Sequence, residues 1–395
     1  MTLRGMVLVT FVSARALAAE TPPGAGEVAT ATGDYAREPA GDYAARQKAF
    51  LEHAARANPA GLYSQVARLA LDRQIDEDAI RSALVTVNTR RDGADFVANG
   101  LARIYSSKSL LISPSLRGEL KSALIGMKYW VDEPGGKDLL SMWSENHQIN
   151  YHSAEYLAGQ LFPKETFTNN GKDGRWHQAA AKKRILRWIE VKAKTGFTEW
   201  DSNNCYMNTM AALLNLAELA SDREVASRAA MLLDVMFFDM AVDSFRGTYG
   251  TSHGRTSPKT VLLGGLGEDT TGMQRIAFGM GSLGKPDSAA SNYLAANHRY
   301  KVSPVVQAIG RDLPAELINR EHQSLRVEDA PRLGLDFGKP EDFFLLKAGG
   351  QFATPEKTQK TLAMIKKVNV PRWGLVMRPW AEAVGATYDE LRKQG

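Results

Sequence analysis

GRWHQAAAKKRILRWIEVKAKTGFTEWDSNNCYMNTMAALLNLAELA, residues 174–220, decides the fold class. Gly174 to Lys194 reads as a long amphipathic helix, with Ile185, Trp188 and Ile189 recurring on its apolar side. Thr195–Gly196–Phe197 closes it, the glycine supplying the usual helix C-terminal stop. Tyr206 to Ala220 follows as a helix so apolar that it must be buried on most sides.

Outward from this pair the same texture continues. Glu145 to Phe162 reads as a helix stopped by Pro163, and Asn169–Asn170–Gly171 as a turn. Ser221–Asp222 caps a further helix reaching about Asp243. Upstream, Ala44 to Arg56 contains no Gly or Pro and is rich in helix formers. Asp92–Gly93 introduces Ala94 to Tyr105, with Phe96, Val97, Leu101 and Ile104 at helical spacing. Ser113–Pro114 starts a helix that is expected to run toward Trp130, and Asp132 to Lys137 is a loop.

Beyond Asp243 the pattern changes. Phe245 to Gly284 holds ten glycines in 40 residues and reads as a loop-rich excursion. Helices resume near Ser288 to Ala296. Phe343 to Leu346 is expected to form a short strand, and Pro379 to Lys393 a terminal helix. Strand signals are otherwise few, so the fold class is all-α. Helical hairpins without a fixed sequence period point to an α-solenoid or to a complete or incomplete (α/α) toroid spanning 42–395.

The chain has 395 residues, 44% of them hydrophobic and 24% charged, the profile of a folded globular protein. No run of 18 uncharged apolar residues occurs, so no integral membrane segment is expected. Arg4, the apolar run Gly5 to Val12 and Ala16–Leu17–Ala18–Ala19 read as a secretory signal over 1–19, followed by a flexible segment over 20–41. The expected location is periplasmic or secreted, and cytoplasmic if these residues are not a signal. The net charge of +5 suits an acidic partner. The basic residues are scattered, without an arginine-rich tail or aromatic RNA-binding motif, so no nucleic acid is expected. The single cysteine, Cys205, cannot form an intramolecular disulfide and reads as a small packed residue.

Three segments could carry chemistry. Trp143–Ser144–Glu145–Asn146–His147 opens a helix, with Ser144 suited to the N-cap. Asn146 and Asn150 share one face, and the helix N-terminus favours a carboxylate. A plain helix cap with a satisfied histidine would use the same residues. The second segment, Gly196 to Asn208, combines Trp200, which could stack on a sugar ring, with Tyr206 and Asn208; a polar turn beside core aromatics is its plainer reading. The third, Tyr249 to Arg255, sets a Tyr, His253 and Arg255 among glycines that let a backbone approach a ligand, or else forms a mobile surface loop.

Other signatures fail. There is no HExxH motif, and His147 and His152 are five apart, a poor spacing for one helical face. No P-loop or dinucleotide fingerprint is present, and Ser252 lacks the nucleophile-elbow pattern.

The Glu145–Asn146–His147 helix followed by Gly196–Phe197 and Tyr206–Met207–Asn208 resembles the (α/α) toroid polysaccharide lyases, notably the alginate lyases, over about residues 140–220. In that family an Asn–His pair opens a helix and a later Tyr lies on a neighbouring one. Asn146, His147 and Tyr206 match these positions. Glu145 stands where the family carries a second Asn, and Arg255 is the candidate for its arginine.

The resemblance implies β-elimination on a uronic-acid polysaccharide without metal or other cofactor. Asn146, with Arg255, would neutralise the carboxylate next to the acidic C5 proton. Tyr206 or His147 would remove that proton, and Tyr206 could protonate the leaving oxygen. The catalytic candidates are therefore Asn146, His147, Tyr206, His253 and Arg255. Trp143, Glu145, Asn150, Trp200, Asn208 and Tyr249 are the substrate-binding candidates. Two alternatives stay open. A glycoside hydrolase on the same toroid would use paired carboxylates from Glu145, Glu199 and Asp201. A non-catalytic glycan-binding protein would bind without forming product.

Overall fold

The structure is a computed structural model. It describes residues 41–347 apart from 59, 135–137, 246, 313, 315 and 324–326, together with 360, 361, 363, 364 and 367. The expected signal over 1–19, residues 20–40 of the flexible segment and the helix expected over 379–393 lie outside the described residues.

The chain is all-α. In order the helices are α1 (Tyr43–Ala57), α2 (Ser64–Ala70), α3 (Glu77–Asn88), α4 (Ala94–Ser106), α5 (Pro114–Gly126), α6 (Glu145–Leu161), α7 (Gly174–Thr195), α8 (Cys205–Leu219) and α9 (Arg223–Val242). A two-stranded hairpin follows, β1 (Ser244–Phe245) with β2 (Thr248–Tyr249), antiparallel with Ser244 opposite Tyr249. Then come α10 (Pro258–Leu263), α11 (Thr271–Phe278), α12 (Ala289–Ala295), α13 (Pro304–Ile309) and α14 (Pro340–Lys347). No helix among the described residues is long and apolar enough to cross a membrane.

Local chemistry sets many of these boundaries. Asp42, Asp76, Asp173 and Asp222 each accept a backbone N–H of the first turn that follows them. Pro occupies the first turn of α5, α10 and α13, where its missing N–H is not needed. Gly196, at φ +68°, ends α7 and donates its N–H to the Lys192 carbonyl. Ser144 differs from expectation. It stands at the N-cap of α6 but makes no capping bond, because its hydroxyl donates to Asn146 Oδ1 at 2.5 Å.

Three sequence expectations need correction. The helix from Pro114 stops at Gly126 and does not approach Trp130. The chain turns extended at Met127, which buries Lys128 against Asp138 and lets the Tyr129 hydroxyl donate to the Leu124 carbonyl. Phe343 to Leu346 is helical, within α14. Pro340 starts that helix, and Glu341 and Asp342 in its first turn complement the helix dipole. The glycine-rich stretch after Phe245 is not one long loop, since it carries the hairpin, α10 and α11.

The packing is layered. Helix α6 lies against α4, α7 and α8, while α8 also packs on α9 and α12. The first helix, α1, packs on α11 and α12, so the start of the described chain meets its later helices. Arg46 pins that contact, donating from Nε to the Ile276 carbonyl at 2.7 Å and from Nη2 to the Ala277 carbonyl at 3.0 Å. Burial pulls this guanidinium down to about 10.

The inner helices are joined by buried amides as well as by apolar contact. Asn99 of α4 donates to Asn150 Oδ1 of α6 at 2.8 Å and accepts from Asn215 Nδ2 of α8 at 2.8 Å. Arg103 of α4 donates to Asn215 Oδ1 at 2.9 Å and to Asn297 Oδ1 at 2.8 Å. Every group here has a partner, the condition under which a buried polar network fixes one arrangement of helices. This also explains how α6, a helix of largely polar sequence, can be buried along nearly its whole length.

Candidate functional site

The first turn of α6 presents His147 toward α4. The imidazole Nδ1 donates to Asp95, with its two carboxylate oxygens at 2.9 and 3.0 Å. Phe96 stacks on the ring, centroids 4.5 Å apart. Asp95 is fully buried, whereas the His147 side chain keeps 15% of its surface exposed. Burial alone would lower the imidazole. The charge and hydrogen bond of Asp95, with Asp92 and Glu199 beyond, outweigh it, so His147 titrates above its ordinary value. Burial likewise holds Asp95 above the ordinary carboxylate value, against the pull of His147. With Nδ1 committed, Nε2 is the nitrogen that can accept a proton, and it has no hydrogen-bond partner among the described residues.

Asn146 sits beside His147, its Oδ1 taken by Ser144. Among the described residues its Nδ2 has no partner and so remains a donor. Asn150, expected on the same face as a substrate contact, is instead part of the core. Its amide nitrogen donates to the carbonyls of Asn146 and Asn208, and its oxygen accepts from Asn99. Asn208 is half-buried and lends only this carbonyl to the network, while Trp143 is half-buried with its carbonyl taken by Gln148.

Glu145 is also corrected. It is expected to face substrate, but it is 1% exposed and lies behind the site. Its carboxylate pairs with Lys192 and accepts from Thr198 N at 3.1 Å, Thr198 Oγ1 at 2.9 Å and Glu199 N at 2.6 Å. Glu145 thus clamps the start of α6 to the end of α7 and to the turn that leads into α8. Four donors leave this carboxylate no capacity for a sugar.

That turn carries the remaining candidates. Arg255 Nη1 donates to Glu199 Oε1 at 3.0 Å and lies 3.7 Å from Cys205 Sγ, with about half of the Arg255 side chain exposed. Burial, then the neighbouring Glu145, raises Glu199. Gly254 packs on Trp200: its N–H donates to the Trp200 carbonyl at 2.8 Å, and a Cβ on Gly254 would fall 2.7 Å from the indole ring. The Tyr249–Arg255 loop therefore covers part of the ring expected to stack on a sugar.

Asp201 gathers the aromatic hydroxyls. Its Oδ1 accepts from Tyr249 at 2.9 Å and from Tyr206 at 3.4 Å. Both tyrosines are about 1% exposed, and burial raises both phenols well above their ordinary value. A phenol buried in this way keeps its proton, so the base expected at Tyr206 is not what its surroundings favour. His253 donates from Nδ1 to the Asp201 carbonyl and accepts at Nε2 from Asn203 at 3.2 Å. Burial lowers it, and these bonds suit a neutral ring.

The candidates thus form two linked groups. Asn146 and His147 stand with Asp95; Tyr206, Tyr249 and His253 surround Asp201. Glu145 and Glu199, bonded through the Glu199 N–H, join one group to the other, and Arg255 is attached at Glu199. Asp95 and Phe96 are absent from the sequence-derived set, and the pair Asp92–Gly93 ahead of a helix is the only signal near them. Two sizeable cavities lie elsewhere, one of about 640 Å³ touching Arg103, Leu110 and His298 and one of about 930 Å³ touching Arg187, Arg228 and Lys339. The chain matches no family model, no curated protein and no solved structure.

Proposed function

We propose that the protein is a lyase that cleaves a uronic-acid polysaccharide by β-elimination, on an (α/α) toroid. The observation that carries this reading is the His147–Asp95 pair, a histidine that keeps 15% of its side chain exposed, oriented by a buried carboxylate and flanked by a free amide donor on Asn146. The packing of α1 on α11 and α12 supports the toroid.

In this scheme His147 Nε2 takes the proton from C5 of the uronate, and Asp95 stabilises the imidazolium that results. Asn146 Nδ2 and the exposed part of Arg255 neutralise the carboxylate as negative charge builds on it. The imidazolium then returns the proton to the departing glycosidic oxygen. Tyr206 and Tyr249 act behind the site by holding Asp201 in place.

Hydrolysis is the weaker reading. It needs two carboxyl groups open to the sugar, whereas Glu145 is held by Lys192 and Thr198, Glu199 by Arg255 and Asp201 by two tyrosines. The test is incubation with a panel of uronate polymers while following ultraviolet absorbance of the C4–C5 unsaturated product. Absorbance should rise with at least one polymer and fail to rise with His147→Ala. New reducing ends without absorbance would establish hydrolysis, and retention on a polymer without product would establish a binding protein; either would overturn the lyase reading.

A further inference from the structure

Asp201, Asp243 and Glu321 come from three distant parts of the chain, yet each brings a carboxylate oxygen within 4.8 Å of the others. Asp201 begins the turn into α8, Asp243 ends α9, and Glu321 belongs to the exposed segment 316–323. Among the described residues no Lys or Arg forms an ion pair with any of the three. Like charges this close repel, and something must offset that repulsion.

The buried member points to what it is. Asp201 is fully buried, and its Oδ1 already accepts from Tyr249, Tyr206 and Gln323. Its Oδ2 is buried as well, and no amide, hydroxyl or cationic group among the described residues donates to it. A buried carboxylate oxygen left bare is costly and calls for an explanation. One proton can bridge two oxygens, but it cannot serve three carboxylates. A cation can.

The surroundings are arranged as outer support for a bound ion. Asn319 Nδ2 donates to both oxygens of Asp243, at 3.0 and 3.1 Å. Gln323 Nε2 donates to Asp201 Oδ1 at 3.3 Å and to Glu321 Oε1 at 3.2 Å, and its own Oε1 accepts from Phe197 N at 3.0 Å. Such bonds orient carboxylates around a metal. Asn319, Glu321 and Gln323 alternate along the segment, and all three side chains reach the cluster. A cavity of about 420 Å³, lined by Asp243, Gly250, Thr251 and Asn319, adjoins it and leaves room for an ion's waters.

We infer that Asp201, Asp243 and Glu321 bind a divalent cation, and that calcium is the ion they suit. The set is all oxygen, without His or Cys. Carboxylates on three separate segments give the loose, high coordination that calcium accepts and magnesium does not. The bound ion ties the 316–323 strap to the turn before α8 and to the end of α9. It takes no part in the elimination proposed above, and it stands or falls independently of that reading.

The test uses the full chain, freed of metal by a chelating resin and titrated with calcium chloride by calorimetry and thermal unfolding. One calcium per chain should bind and raise Tm. Glu321→Gln, at an exposed position, and Asp243→Asn, at a half-buried one, should stay folded by circular dichroism and weaken calcium binding by about tenfold or more. Terbium bound in place of calcium should luminesce on tyrosine excitation, because the Tyr249 hydroxyl rests on Asp201. No heat and no Tm change at millimolar calcium would overturn the inference, as would calcium binding that Glu321→Gln leaves unchanged.

Discussion

His147 Nδ1 and Asp95 Oδ2 meet at 2.9 Å across the gap between α6 and α4. Removing the Asp95 charge in Asp95→Asn should lower kcat/KM on the preferred uronate polymer by about 10²-fold or more, the scale of a positioned base. In the native protein the acid limb of the pH–rate profile should lie above the ordinary imidazole value, since His147 is raised and must be neutral to act. In Asp95→Asn that limb should move down. A profile that stays in place in the variant would count against His147 as the base.

Glu145→Gln should destabilise the fold by about 3–5 kcal/mol, because it leaves the buried Lys192 ammonium without its counter-charge. The double variant Glu145→Gln/Lys192→Met should lose less than the sum of the two single losses. Urea unfolding of the four proteins measures this coupling directly.

Glu268 gives a pH signature. Burial pushes its carboxyl up to about 7 from an ordinary value of 4.5. Between those two values the folded chain keeps a proton that the unfolded chain has released. The associated stability is therefore complete below the lower value and lost as pH rises through the upper one. Glu268→Gln should flatten this part of the stability–pH curve by at most about 1.4 kcal/mol per pH unit, the worth of one proton. Denaturant midpoints across that range give the slope.

Gly254→Ala should disturb the Tyr249–Arg255 loop rather than the helices. Its Cβ would lie 2.9 Å from the Trp200 backbone N as well as against the indole ring, and neither can yield easily. Turnover should fall by about tenfold, on the scale of a small misplacement near the chemistry. Tm should shift far less than in Glu145→Gln.

Sequence carried the helices wherever their ends are chemical. Asp173, Asp222 and Gly196 mark their boundaries in the chain as plainly as in the fold. It carried less where a side chain's partner is remote. Glu145 and Lys192 are 47 residues apart, and nothing near Glu145 announces that its carboxylate turns inward. Asp95 hides for a different reason. An acid in a first helical turn already has a common role beside the helix dipole, so its bond to His147, 52 residues on, leaves no local trace. Phe343 to Leu346 shows the limit of short apolar runs, which strands and buried helices share. Only Pro340 and the two acids after it separate the cases.

Arg46 reaches carbonyls 230 and 231 residues further along the chain. At ordinary rates of synthesis, roughly 5–20 residues per second, α1 emerges from the ribosome roughly ten seconds or more before α11 exists. Throughout that interval the face of α1 that meets α11 and α12 lacks its final partners, and the guanidinium lacks the Ile276 and Ala277 carbonyls. The newborn chain must therefore be shielded from self-association until its last third arrives. A truncated chain ending before Ile276 should aggregate rather than fold.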